Sequence, residues 1–181
     1  KNTVGYLTVP GVDVTDEPIL QHPTDDDYYL THNEFDRESI WGAYFVPSEW
    51  NVSNVDDMYR VTVIFGHSNG NSMHKKFSVL KYFRDVNFAK EHRYIYLTLG
   101  EQQTRWKIFA VADYPIDPSY TIANPDDSYF LTEIASMKAY SYNQYATEVG
   151  LNDKVLILST CSGSDNYDTR FIVCAKLDEV F

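Results

Sequence analysis

Three residues of this chain have side chains suited to acyl transfer: Cys161, His67 and Arg170. Cysteine is the strongest side-chain nucleophile, although at its ordinary pKa only a few per cent is thiolate at neutral pH. A neighbouring imidazolium or guanidinium raises that fraction. Histidine can protonate a departing amine. Arginine stays cationic and carries five donors, so it can hold a substrate carbonyl or a developing oxyanion. Each also has a plain structural role. A cysteine at a strand end is commonly a small buried hydrophobe, a histidine in a Gly-His-Ser turn a loop residue, and a strand arginine a side chain whose stem lies along apolar surface.

The spacing of apolar residues says how these three are carried. Val155-Leu156-Ile157-Leu158-Ser159-Thr160-Cys161 reads as a buried strand that ends at the cysteine. Ser162-Gly163-Ser164-Asp165-Asn166 is turn chemistry, and Arg170-Phe171-Ile172-Val173-Cys174-Ala175 is the next strand. A thiol and a guanidinium therefore share one sheet end. Upstream, strands are expected at Val4–Val9, Asp16–Gln21, Trp41–Val46, Tyr59–Phe65, Arg93–Leu99 and Thr104–Ala112. The strand from Tyr59 stops at Gly66-His67. Helical spacing appears over about Met73–Phe83, with Met73, Phe77 and Leu80 on one face. It returns over about Asp127–Glu148, where Leu131, Ala135, Ala139, Tyr142 and Ala146 share a face and Gly150 follows as a cap. Eight short strands with two helical insertions predict a closed β-barrel decorated by helices, in one domain over residues 1–181.

Composition narrows the partners. The net charge of −11 opposes nucleic-acid binding, which calls for a basic stripe. The chain holds 15 tyrosines, a composition that favours β structure. No apolar run is long enough to span a membrane. Asp25-Asp26-Asp27 could bind calcium, but no spaced ligand loop follows, so the stretch reads as a solvated acidic turn and no metal is expected. A Cys161–Cys174 disulfide is disfavoured. Cys174 stands four residues along the strand from Arg170, roughly 13 Å at about 3.3 Å per residue, and a bridge needs Cα atoms within about 7 Å. Cys174 is therefore expected to be a wall hydrophobe.

Leu158-Ser159-Thr160-Cys161, with Arg170 shortly downstream and Gly66-His67 far upstream, resembles the sortase pattern Thr-Leu-x-Thr-Cys with its catalytic histidine and arginine. Ile157 stands where the family usually has threonine. Val4-Gly5-Tyr6-Leu7-x-Val9-Pro10-Gly11, Pro18-Ile19-Leu20-Gln21 and Tyr28-Tyr29-Leu30 are similar to the opening of a sortase domain, so the likeness covers nearly the whole chain. Ser72-Met73 with a helix after Gly66-His67, and the long helix between the sixth and seventh strands, resemble class B.

The resemblance implies an eight-stranded sortase barrel and a cysteine transpeptidase that cleaves a C-terminal sorting signal after threonine through a Cys161 thioester. It implies His67 as acid and base and Arg170 as the group that orients the signal and stabilises the oxyanion. The partners would be secreted proteins or pilins bearing a sorting signal, with an amine of a cell-wall precursor or a pilin lysine as acceptor. No cofactor is implied. The implied location is the outer face of a Gram-positive membrane, on a single-pass N-terminal anchor outside this sequence. Ser159, Thr160 and Ser162, beside the nucleophile, are assigned to substrate binding with Tyr140 and Tyr145 of the long helix. Those two lie off its Leu131–Ala135–Ala139–Tyr142 face, and tyrosine gives rigid amphipathic contact area. Two other readings are a cysteine peptidase that gives the acyl group to water, and a silent β-barrel binding module in which Cys161 is structural.

Overall fold

The computed structural model describes residues 2–68, 75–116, 118–163 and 166–181, with the side chains of all but 118, 119, 161–163, 166 and 167. Its centre is β7 (Val155–Gly163), whose apolar run is continuous because both of its faces are covered. Leu156 and Leu158 pack into one buried cluster with Leu7, Trp106, Phe171 and Val173. Val155 and Ile157 pack into another with Val63, Phe109, Ile172 and Cys174. The first cluster fills the barrel and the second lies outside its wall, as the alternation along a strand requires.

The remaining strands are β1 (Thr3–Thr8), β2 (Glu17–Leu20), β3 (Tyr44–Phe45), β4 (Val61–Phe65), β5 (Tyr94–Leu99), β6 (Gln102–Pro115) and β8 (Asn166–Val180). They close in the order β1-β2-β3-β4-β7-β8-β6-β5. The eight-stranded barrel expected from the sequence is the fold observed. β4 and β7 run parallel, whereas β7–β8 and β8–β6 are antiparallel. Closure leaves no free sheet edge along the barrel. Where the expected strand bounds fail, they fail at the ends. β3 keeps only two paired residues of the Trp41–Val46 run, since Trp41 and Gly42 turn away.

The helical expectations need correction. The stretch read as a helix over Met73–Phe83 is a 3-10 helix over Lys76–Arg84, and Met73 lies outside the described residues. α1 (Tyr28–Thr31) and α2 (Val86–Glu91) are short; the Asp85 carboxylate caps α2 by accepting from the amides of Asn87 and Phe88.

The long helix is α3, and it spans Asp127–Tyr140 rather than reaching Glu148. Asp126 caps its start by accepting from the Tyr129 amide at 2.9 Å. It stops because β6 runs past the end of β5, leaving Val111 with backbone groups to satisfy. The Val111 amide donates to Ser141 Oγ at 3.0 Å, and its carbonyl accepts from the Tyr142 amide at 2.8 Å. The chain after Tyr140 therefore runs extended beside β6. The expected helix face is also corrected. Phe130, Ile134 and Met137 are the buried side chains, while Leu131 is 43% exposed. Alanines on the other stripe tolerate solvent, so the large residues decide which face packs.

The single-pass anchorage implied by the resemblance is corrected as well. Among the described residues no helix is long and apolar enough to cross a membrane. The 14 residues of α3 would extend about 21 Å, against the roughly 30 Å of a bilayer core.

Candidate functional site

The ends of three neighbouring strands meet at one groove. The last residue pair of β4 and β7 is Phe65 with Ser159, and the Gly66 amide still donates to the Ser159 carbonyl at 3.2 Å. His67 and Cys161 each stand two residues beyond that pair, so both segments leave the parallel ladder at the same level. On the other side of β7, the antiparallel register pairs Cys161 directly with Arg170. The backbone thus brings all three sequence-predicted residues to one end of the sheet. The side chains of Cys161 and Ser162 lie outside the described residues.

His67 is held from several directions. Its Nε2 lies 2.6 Å from the Leu30 carbonyl oxygen. A carbonyl only accepts, so Nε2 carries a proton and the neutral ring keeps its lone pair at Nδ1. The backbone on either side is fixed too. The His67 carbonyl accepts from the Phe77 amide at 3.0 Å, and Lys81 Nζ donates to Ser68 Oγ at 2.7 Å. Two glycines make the arrangement possible. Gly42 sits at φ +52°, where a Cβ would overlap the Tyr29 carbonyl and lie 2.9 Å from the Leu30 carbonyl oxygen and 3.0 Å from His67 Cδ2. A Cβ on Gly66 would lie 2.7 Å from the Phe77 ring and 2.8 Å from that of Tyr44.

The groove holds about 420 Å³. His67, Ser159, Thr160 and Arg170 line its floor, and Leu30, Phe45, Pro47, Trp50 and Phe65 supply apolar wall. Asp26 and Asp27 from the β2–β3 connection and Glu49 from the β3–β4 connection add charge. Ser159 is buried, and its hydroxyl shares a hydrogen bond with Tyr120 at 3.1 Å. Thr160 is 3% exposed, and its Oγ1 has no hydrogen-bond partner among the described residues. Arg170 is half-buried, with Nη1 donating to the Thr169 carbonyl at 3.4 Å.

Cys174 behaves as a wall residue. It faces Ile157 across the β7–β8 ladder, is fully buried and free, and its burial pushes the thiol far up in pKa. Asp25 and Asp26 act as turn ligands for backbone: Asp25 accepts from the Asp27 amide at 3.0 Å and Asp26 from the Ser48 amide at 2.6 Å.

Tyr140 and Tyr145, which the sequence assigns to substrate binding, are not among the described residues that line the groove. Tyr140 packs edge-on against Tyr114, with ring centroids 5.3 Å apart, at the end of α3. Tyr145 packs against the barrel interior, and burial raises its phenol to about 12. The β6–β7 connection reaches the groove through a 3-10 turn, Pro118–Thr121, which contributes Thr121 to the lining and Tyr120 behind Ser159. Sequence reasoning missed this turn, the Leu30 carbonyl, Gly42 and the acidic rim. Prolines at 115, 118 and 125 mark the connection as irregular, but nothing in the chain's periodicity assigns a backbone carbonyl to a histidine.

No protein-family model matches the chain. Sortase B of Listeria monocytogenes is 28% identical to it over 179 residues, covering 98% of this chain and 70% of the relative. The solved structure of sortase B from Listeria monocytogenes superposes with a TM-score of 0.82 at 26% identity, over 98% of this chain and 95% of that one. A Staphylococcus aureus sortase B–substrate complex superposes with a TM-score of 0.85 at 20% identity, over 98% of this chain and 80% of that one. Barrel, strand-end groove and relatives agree: the chain is similar to the sortases, a family of transpeptidases. Within that family its likeness is to class B.

Proposed function

We propose that this chain is a single catalytic unit that cleaves a C-terminal sorting signal after threonine and transfers the protein to an amine of a cell-wall precursor or a pilin lysine. In the first half, the Cys161 thiolate attacks the threonine carbonyl carbon. The carbon–nitrogen bond breaks, and the His67 imidazolium gives its proton to the departing amine. A thioester remains on Cys161. In the second half, an incoming amine attacks the thioester carbonyl and loses a proton to His67. The new amide forms and the thiolate leaves. Arg170 holds the carbonyl oxygen as it gains charge in each step. Ser159, Thr160 and Ser162 lie along the path of the bound peptide.

The observation that carries this reading is the convergence of strand ends. Parallel pairing levels His67 with Cys161, and antiparallel pairing sets Arg170 opposite Cys161. The groove beside them is long in apolar wall and open to solvent, as an extended peptide requires. The test is product analysis of a threonine-containing signal peptide by mass spectrometry, with and without an added amine. Transfer predicts an amide product that grows with amine concentration. Release of the free acid alone, at any amine concentration, would make the protein a hydrolase.

A further inference from the structure

A second cavity, of about 390 Å³, lies against the backbone that holds His67. Gly42 lines this cavity, and the Cβ it lacks would lie 3.0 Å from His67 Cδ2. Charged residues of both signs surround the space. Asp13 comes from the β1–β2 connection, Glu17 from the start of β2 and Glu34 from the β2–β3 connection, while Lys75 and Lys76 open the 3-10 helix. Among the described residues no ion pair joins any of the five. Glu17 is half-buried, and burial raises its carboxyl, a shift that Lys76 only partly offsets.

Two aromatic rings complete the wall. Lys75 Nζ lies 4.8 Å from the centre of the Trp41 ring, and Lys76 Nζ lies 4.7 Å from that of Tyr44. Lys76 holds its backbone at φ +49°, a left-handed conformation uncommon outside glycine. Tyr44 is 1% exposed, and its hydroxyl has no hydrogen-bond partner among the described residues. That hydroxyl faces the cavity: burial raises the phenol's pKa, and the charges of Glu17 and Asp13, which both line the space, raise it further. A buried hydroxyl without a partner in the chain calls for one from outside it.

Unpaired carboxylates beside unpaired ammonium groups set the chemistry of an occupant. A purely cationic ligand would strip water from the lysines without compensation, and a purely anionic one would do so to the carboxylates. A group with an ammonium and a carboxylate on one carbon satisfies both, and the Tyr44 hydroxyl can donate to its carboxylate. Resting on the transpeptidase reading above, we infer that this cavity binds the amine acceptor by a zwitterionic amino-acid head, with the reacting amine on an alkyl stem that passes Gly42 to reach His67. The step itself is unchanged. The amine nitrogen attacks the thioester carbonyl, the carbon–sulfur bond breaks, and the amine proton passes to His67. A lysine inside a protein chain lacks the head, because its α-nitrogen and carbonyl carbon both belong to amides. The cavity therefore favours a free diamino-acid end over an internal lysine.

The test follows the fate of the acyl-enzyme formed from a threonine-containing signal peptide. L-Lysine and Nα-acetyl-L-lysine amide serve as acceptors. They offer the same ε-amine, and only the first has the zwitterionic head. Mass spectrometry measures amide against free acid, and fragmentation locates the acyl group. The wild type is expected to transfer to Nε of lysine at about one tenth of the concentration that the blocked lysine requires, the scale set by two partly exposed charge pairs. Glu17→Gln/Lys76→Gln should shrink that preference to about twofold. Tyr44→Phe, which keeps the ring and its packing, should reduce it by about threefold, the scale of one hydrogen bond. Each variant is compared on two acceptors, so a general loss of activity does not mimic the result. Equal transfer to both acceptors by the wild type would overturn the inference, as would a preference undiminished in either variant or attachment at Nα. Free acid alone, with either acceptor at any concentration, would instead defeat the transpeptidase reading and take the inference with it.

Discussion

The floor and the rim of the groove are built by different means. The floor is made of strand ends. β4, β7 and β8 are locked by continuous ladders and by apolar packing on both faces, with Ile157, Ile172 and Cys174 fully buried. The rim is made of connections. It is held largely by bonds between side chain and backbone, such as Asp26 to the Ser48 amide and Gln21 Nε2 to the Pro47 and Trp50 carbonyls, and it carries exposed charge. A ladder fixes the relative level of His67, Cys161 and Arg170 through many bonds at once, so no one surface change moves them. An exposed carboxylate on a connection can change its charge without disturbing the barrel. The floor is thus suited to fixed geometry and the rim to variation.

The largest expected effects come from the floor. Arg170→Ala removes a donor from the developing oxyanion, and such losses cost about 100- to 1,000-fold in rate. Arg170→Lys keeps the charge but loses the planar fork, so it too should fall well below the wild type. Steady-state kcat/KM on a cleaved peptide reads both. Turnover of Arg170→Lys near the wild type would reduce the residue to a generic cation and weaken the contrast with the rim. His67→Ala should fall by about 100- to 10,000-fold, the range of a lost acid–base group.

An intermediate effect is expected one layer down. Ile157 is fully buried among Val63, Phe109 and Cys174. Ile157→Thr, which installs the residue common in the family at that position, buries a hydroxyl in an apolar layer and should cost roughly 1–3 kcal/mol of stability. Urea denaturation measures this. Activity per folded molecule should stay within a few-fold, because the change lies beneath the floor. A large loss of kcat without loss of stability would mean that this layer tunes the chemistry directly.

The smallest effect is expected at α3. Tyr140 packs on Tyr114 away from the groove lining, so Tyr140→Ala should change KM by less than about twofold while lowering the melting temperature slightly. A changed peptide preference in that variant would extend the rim to α3.

The same division governs how much the sequence discloses. The floor is legible because its strands carry a period and its ends carry turn residues. Val155–Cys161 and Arg170–Ala175 are recognisable as strands from their residues alone, and their antiparallel pairing follows from the short loop between them. The separation of Cys174 from Cys161 is legible for the same reason. The rim is illegible because its positions come from loops that meet only in three dimensions. Asp25–Asp27 reads as an acidic turn, but nothing near it in the chain indicates Ser48 or Glu49. The buried face of α3 is ambiguous because the Leu131–Ala135–Ala139 stripe and the Phe130–Ile134–Met137 stripe both have helical spacing. Only the demand of the Val63–Phe109 wall for large side chains chooses between them. The end of α3 depends on β6 outrunning β5, a fact about strand lengths that residues 141–148 do not contain.

The central claim, that one of two cysteines is the acyl carrier, is tested most directly by trapping the thioester. The protein is incubated with a threonine-containing signal peptide, quenched in acid, digested and sequenced by mass spectrometry. The account predicts the amino-terminal part of the peptide attached to Cys161, and Cys174 unmodified, because burial holds the Cys174 thiol protonated. The adduct should vanish in Cys161→Ala and persist in Cys174→Ala. An acyl group on Cys174, or turnover of the peptide by Cys161→Ala, would contradict it.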